Sequence, residues 1–260
     1  MKMQEETYQS EKFIMNRVKT GVNGLDDLIE GGFPEKSITL VSGSPGAGKS
    51  ILCFQFIYEG VNNGENVLYL TLDKREEGIL LQAKKLGYDF QPAIENGQAT
   101  FRYLNINKKL VYETMSNEIL SGKYDRIVLD SITPLSEMPL FLADTQNNMN
   151  GSGYSFVDTE NQSTGLSGPV QRKHILFIMN ALESSEATTI ITSELSLSSS
   201  NLSRDGISEF LADGVILLKA DPTMDRRKLS IFKMRNTKHT LKPQDIQINE
   251  NGITLVRKTM

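Results

Sequence analysis

Gly43-Ser44-Pro45-Gly46-Ala47-Gly48-Lys49-Ser50 brings three kinds of chemistry together in one short stretch. Its glycines let backbone N–H groups turn inward around an anion, its lysine supplies a long cation, and its serine a hydroxyl. The pattern matches G-x-x-x-x-G-K-[ST], a loop that cradles the phosphates of a nucleoside triphosphate. Lys49 is expected to reach the β- and γ-phosphates, and Ser50 to hold Mg²⁺ through its hydroxyl. Ser44, Pro45, Gly46, Ala47, Gly48, Lys49, Ser50 and Ile51 are the expected nucleotide contacts along this stretch. Such a loop needs a strand to fix its start and a helix whose N-terminal dipole faces the phosphates. Ser37 to Ser42 reads as a buried strand, and Ile51 to Tyr58 as the apolar opening of a helix.

A triphosphate site also needs a carboxylate near Mg²⁺. Ile127-Val-Leu-Asp130 closes an apolar strand on Asp130, which fits that role. Around these two motifs the chain alternates strands and helices. Asn66 to Leu72, Phe101 to Leu104, Thr188 to Ser193 and Gly214 to Lys219 are short apolar runs of the kind buried on both faces of a parallel sheet. Glu76 to Leu86, closed by Gly87, Val111 to Leu120 and His174 to Ser184 have helical spacing. Lys228 to Arg235, Ile246 to Ile248 and Gly252 to Val256 read as antiparallel edge strands. The expected fold is α/β: a mostly parallel sheet between helices, in one domain over residues 16 to 260. Residues 1 to 15 are expected to form a mobile arm. Residues 136 to 171, rich in Asn, Ser, Gly, Thr and Gln, are expected to be a mobile insertion.

Composition narrows the function classes. The chain has 260 residues, 38% hydrophobic and 23% charged, with a formal net charge of −4. Apolar runs are too short to span a membrane, and Met1 to Glu6 is too polar for a secretory signal. Cys53 is the single cysteine, so no internal disulfide can form, and its place after the phosphate loop reads as helix packing. A cytoplasmic location is the expectation. No Cys/His cluster has metal-ligand spacing, which leaves Mg²⁺ as the implied metal.

The motifs together resemble the KaiC-like branch of the RecA superfamily of P-loop ATPases. Thr20-Gly-Val-Asn-Gly-Leu-Asp26 before Gly31-Gly32-Phe33-Pro34, the phosphate loop, Tyr69 to Asp73, Asp130-Ser131, and Lys233-Met-Arg-Asn-Thr-Lys-His239 carry the resemblance, from about residue 17 to 257. The clock protein has two such domains in tandem, and this chain looks like a stand-alone relative with one. The resemblance implies an ATPase with Mg²⁺, whose sites lie between copies of the chain in a ring, usually a hexamer. It implies that Lys233 and Arg235 enter the neighbour's ATP site, with Met234, Thr237 and His239 nearby, and that Glu194 faces the γ-phosphate. Cations delivered in this way stabilise charge on the transferring phosphoryl group. On one strand Lys233 and Arg235 share a face, and Thr237 and His239 keep the same parity. His174, at the start of its helix, is expected to be exposed or capping.

The chain departs from that family at its catalytic acids. Relatives carry Glu-Glu after the second strand, where this chain has Asp73-Lys74. Asp73 is a methylene shorter, and a retracted carboxylate positions water poorly, so hydrolysis is expected to be slow. Glu76 and Glu77 could substitute only if the strand ran further than Leu72. The expected function is an ATP-dependent ring acting as a regulatory module with a protein partner not identified by sequence. The alternatives are a nearly inactive ATP-binding scaffold and a RecA/RadA-like DNA repair ATPase. DNA binding fits poorly: Ile127 to Gln171 contains no Lys or Arg, and Ser193 to Ala212 only Arg204.

Overall fold

The computed structural model describes residues 15–108, 110–137, 141–143, 154–156 and 167–256. The expected mobile arm, apart from Met15, and most of the expected insertion lie outside them.

In chain order the elements are β1 (Arg17–Val18), α1 (Leu25–Leu28), β2 (Phe33–Pro34), β3 (Ile38–Gly43), α2 (Lys49–Asn62), β4 (Val67–Thr71) and α3 (Glu76–Lys85). There follow α4 (Gln91–Glu95), β5 (Ala99–Tyr103), α5 (Val111–Ile119), β6 (Arg126–Asp130), α6 (Thr133–Glu137), β7 (Phe141–Ala143) and β8 (Tyr154–Phe156). The remainder is α7 (Ser167–Ser184), β9 (Thr188–Glu194), α8 (Ser208–Leu211), β10 (Gly214–Asp221), β11 (Arg226–Met234), β12 (Gln244–Asn249) and β13 (Gly252–Leu255).

Nine strands form one sheet in the order β13-β12-β11-β10-β3-β9-β6-β4-β5. From β10 to β5 every pairing is parallel, and β11, β12 and β13 add antiparallel strands at one side. This is the architecture expected from the alternating pattern. The continuous apolar runs follow from double coverage: Val67 and Tyr69 of β4 pack into one core, and Leu68 and Leu70 into the other. All four are fully buried. The first core holds α2, α3, α4 and the β12–β13 hairpin, and the second holds α5, α6 and α7.

Local chemistry sets the boundaries. α3 stops at Gly87, whose φ of 86° is left-handed, with Gly87 N–H on Lys84 O and Tyr88 N–H on Ala83 O. The Thr20 to Asp26 segment is a clasp: the Thr20 N–H and hydroxyl both donate to Asp26 Oδ1, at 3.0 and 2.7 Å. α7 begins at Ser167, earlier than the apolar spacing from His174 suggests. β7 and β8, which pair antiparallel inside the 136 to 171 stretch, had no sequence signal. Among the described residues no helix is long and apolar enough to cross a membrane.

Candidate nucleotide site

The phosphate loop leaves the carboxyl end of β3, with Gly43 paired to Leu218 of β10 on one side and Glu194 of β9 on the other. A Cβ at Gly43 would stand 2.4 Å from Leu218 O, so only glycine lets the strands close. Gly48 has φ 110°, and a Cβ there would meet Ile253 and Ile248 at 3.1 and 3.2 Å. The loop is thus seated on the β12–β13 hairpin. Gln55 of α2 holds that hairpin, donating to Ile253 O at 3.1 Å and accepting from Ile253 N–H at 2.8 Å.

Lys49 opens α2 and curls over the loop, its Nζ donating to Gly43 O at 2.8 Å and Ser44 O at 3.3 Å. Burial lowers its pKa, opposed by the charges of Glu194, Asp130 and, more weakly, Cys53 and Asp73. The carboxylates of Glu194, Asp130 and Asp73, from three different strand ends, thus all favour the charged form of one ammonium. A triphosphate would offer that ammonium stronger acceptors than loop carbonyls.

Asp130, at the end of β6, receives three hydroxyls. Ser50 Oγ donates to Oδ2 at 2.9 Å, Tyr69 OH to Oδ2 at 2.6 Å, and Thr192 Oγ1 to Oδ1 at 2.6 Å. The Ser50 hydroxyl and the Asp130 carboxylate are hard oxygen donors, the kind Mg²⁺ takes. Burial and Asp130 together hold the Tyr69 phenol well above its ordinary pKa, so it stays a donor.

Asp73 follows β4 by two residues, and Ser131 Oγ donates to its Oδ2 at 3.1 Å. Desolvation raises its pKa above the ordinary carboxylate value. The Ser131 bond and Lys74 oppose the shift, whereas Glu194 and Asp130 add to it. Lys74 turns away along α3, its Nζ 3.4 Å from Gln82 Oε1. The strand ends at Thr71, so the condition for Glu76 or Glu77 to substitute is not met. Glu76 instead accepts the Tyr103 N–H at 3.1 Å.

Glu194 is exposed at the end of β9, its N–H on Thr133 Oγ1 at 2.9 Å. Both residues line a cavity of about 500 Å³ with Pro45, Leu195 and Arg204. Cys53 is fully buried, and burial pushes its thiol pKa up, in keeping with packing. His174 is not a helix-start residue. It lies inside α7, half-buried, its ring 4.6 Å from that of Tyr112 and its Nδ1 3.1 Å from Tyr112 OH.

Lys233 and Arg235 sit at the other end of the sheet. Lys233 pairs with Val215, which pairs with Leu40, whereas the loop starts beyond Gly43. Lys233 Nζ donates to Glu209 O, Phe210 O and Ala212 O at 3.3, 3.3 and 2.5 Å, closing the end of α8. Desolvation first, then Arg235, lowers its pKa. Arg235 donates to Asp213 Oδ1 at 2.9 Å. The expected strand parity does not continue: β11 ends at Met234, and Asn236, with φ 53°, turns the chain. Thr237 is held by Arg17 at 2.6 Å, and His239 Nδ1 is buried with no hydrogen-bond partner among the described residues. The Met234 side chain is buried in the core, where it limits Gly214, leaving only its backbone for a ligand.

Tyr69, Thr192 and Arg227 gave no site signal in the sequence. Arg227 Nε donates to Gly46 O at 3.2 Å, inside the loop. The basic run Arg226-Arg-Lys228 was the available hint, but the turn that folds it over the loop is a tertiary fact.

Comparison with known proteins agrees with this fold. A relative from Aeropyrum pernix, called UPF0273 protein, is 28% identical over 244 residues, covering 92% of this chain and 93% of its own. A UPF0273 protein of Methanocaldococcus jannaschii is 29% identical over 245 residues, covering 92% and 96%. The crystal structure of a KaiC-like protein from Pyrococcus horikoshii matches with a TM-score of 0.75 at 29% identity, covering 94% of this chain and all of that one. The family model described as "ATPase: KaiC" matches residues 18–146 and 157–260, taking in the phosphate loop, Asp130 and the Lys233 segment alike. By that match, and by the sheet that carries it, this chain belongs to the KaiC ATPase family.

Proposed function

We propose that the chain is a slow ATPase that completes its site with a second copy of itself, in a nucleotide-dependent ring of six that works as a regulatory module. The observation that carries the reading is the placement of Lys233 and Arg235. Leu40 to Gly43 is a rise of roughly 10 Å along the sheet, and β11 lies two strands away from β3. A lysine on Val215's partner position is too far from its own loop to serve the phosphates there, which supports a role toward a neighbouring copy.

In this reading Lys49 and the loop N–H groups bind the phosphates, and Ser50 and Asp130 hold Mg²⁺. A metal held by those two residues would supply positive charge against the phosphates. Asp73 accepts a proton from the attacking water, and Glu194 faces the γ-phosphate. From the neighbour, Lys233 and Arg235 meet the developing charge, and Thr237, His239 and the Met234 backbone complete the pocket. Lys233 must first leave the α8 carbonyls, and Arg235 must leave Asp213.

A mixing experiment tests the trans contact. Lys49→Ala removes the loop cation, and Arg235→Ala removes the delivered one, so each protein alone should be inactive. Mixed, some sites pair an intact loop with an intact neighbour, and phosphate release should return to a sizeable fraction of the unaltered rate. Activity in Arg235→Ala alone, or none in the mixture, refutes completion in trans. ATP with Mg²⁺ at a hundredfold excess over Kd should add about 2.7 kcal/mol of stability to the unaltered protein and almost none to Lys49→Ala.

A nearly inactive scaffold is the second reading, favoured by the commitment of Glu76 to Tyr103, which leaves the short Asp73 without an understudy. Sub-micromolar, ATP-strengthened binding of single-stranded DNA at physiological salt would instead restore the repair reading.

A further inference from the structure

Tyr69 is a core residue by every packing measure, yet its hydroxyl ends on the metal carboxylate. The ring is fully buried between Phe54 and Phe101, with centroids 5.7 and 5.2 Å away and interplanar angles of 29° and 11°. A phenylalanine would fill that stack equally well. What it lacks is the O–H that meets Asp130 Oδ2 at 2.6 Å.

The sheet makes this meeting possible. Tyr69 pairs with Val128, and Asp130 lies two residues beyond Val128 on the same face. Thr192, two residues beyond Ile190, points to that face from β9. The face is covered by α2, which brings Ser50. A carboxylate has about four lone-pair sites. Ser50, Tyr69 and Thr192 take three, so about one is left to face outward. Tyr69 and Thr192 grip opposite oxygens, which stops the carboxylate from rotating even when Ser50 turns its oxygen to a cation.

We propose that Tyr69 is a positioning residue for Asp130, whose hydroxyl sets how strongly Mg²⁺ couples to nucleotide binding. The inference rests on the reading of Asp130 as the metal carboxylate. It assigns a site role to a residue in the middle of a hydrophobic strand. Groups that orient a metal ligand typically change metal affinity by about 10- to 100-fold when removed.

The measurement is the apparent ATP affinity in Mg²⁺ and in EDTA, and the ratio of the two is the coupling. Tyr69→Phe should lower that ratio by about tenfold or more, while the affinity in EDTA stays within about twofold of the unaltered value. Asp130→Asn should collapse the ratio, and adding Tyr69→Phe to it should change nothing further, because both act through one group. A merely structural tyrosine would weaken binding equally in both conditions and leave the ratio intact, which overturns the proposal. A further drop on the Asp130→Asn background overturns it too, since Tyr69 would then act elsewhere. If Asp130→Asn itself leaves the ratio untouched, the metal reading falls and the proposal with it. If Asp130→Asn collapses the ratio and Tyr69→Phe does not, only the proposal falls.

Discussion

The two ends of the parallel strands treat charge in opposite ways. At the carboxyl ends, Asp73, Asp130 and Glu194 all favour the charge on Lys49, whose ammonium donates to the loop's own carbonyls. At the amino ends, every cation named above is tied down within the chain. Arg126 is fully buried, bonded to Glu65, to Lys19 O at 2.7 Å and to Phe56 O at 2.9 Å, with its guanidinium 4.7 Å over the Phe56 ring. Lys233 caps α8, and Arg235 holds Asp213, which itself accepts the Ile38 N–H at 3.0 Å. The first end is arranged to receive a ligand. The second is arranged to be stable alone, and any work it does on a nucleotide requires trading those bonds for better ones.

Substitutions at the two ends should therefore fail in different ways. The largest effect is expected at Asp73. Asp73→Asn should lower steady-state phosphate release by roughly 10²–10⁴-fold at saturating ATP and equal assembly state, and Asp73→Glu should raise it above the unaltered rate. Equal rates in all three would remove Asp73 from the reaction.

Arg126→Ala comes next and acts on folding. Removing the buried partner of an ion pair costs up to about 3–5 kcal/mol when the charge left behind is also buried. Glu65 is part-exposed, but Lys19 O and Phe56 O lose their donor as well, so a loss of about 2–4 kcal/mol is expected. Urea unfolding should show the loss as a lower midpoint with an unchanged slope. A loss under about 1 kcal/mol would mean that water replaces the guanidinium without penalty.

Arg235→Ala should cost little, about 0.2–1 kcal/mol, because its pair with Asp213 is half-exposed. Its effect belongs to activity. The contrast between a small stability change here and a large one at Arg126 is the sharpest form of the comparison. A folding defect at Arg235 as large as that at Arg126 would erase it.

The smallest effect is a pH signature. Asp73 has a raised pKa in the folded protein, so the native state holds its proton more tightly than the unfolded chain does. Stability should fall as pH climbs through the carboxylate range and should stay lower above it. Asp73→Asn lacks this penalty. Its melting temperature should equal that of the unaltered protein in acid and exceed it slightly at neutral pH. A variant less stable at neutral pH would mean that the Ser131 bond outweighs desolvation.

The site was legible in sequence where chemistry is contiguous and opaque where it depends on register. The loop from Gly43 to Ser50 carries its own geometry, and Asp130 is marked by the apolar run before it. The sheet followed from runs such as Val67 to Thr71, whose uniform burial requires cover on both faces. Tyr69 and Thr192 were hidden because a strand residue's neighbours belong to other strands, and nothing local says which. The parity expected through His239 failed at Asn236, where one left-handed residue cancels an alternation that composition alone could not forbid. The segment from Thr20 to Asp26, which carried part of the resemblance, is tied to α2 and β13 through Gln55 and the Asn23–Thr254 bridge. Its Gly21 packs on Gln55, where a Cβ would stand 2.5 Å from the carbonyl oxygen.

Gln55 and the hairpin beneath Gly48 bear on the order of synthesis. Ile248 and Ile253 are made long after the loop they support, and Gln55 has no partner in β13 until that strand exists. A nascent chain carrying the whole of the phosphate loop, β4 and Asp130 would still lack the floor of its nucleotide site.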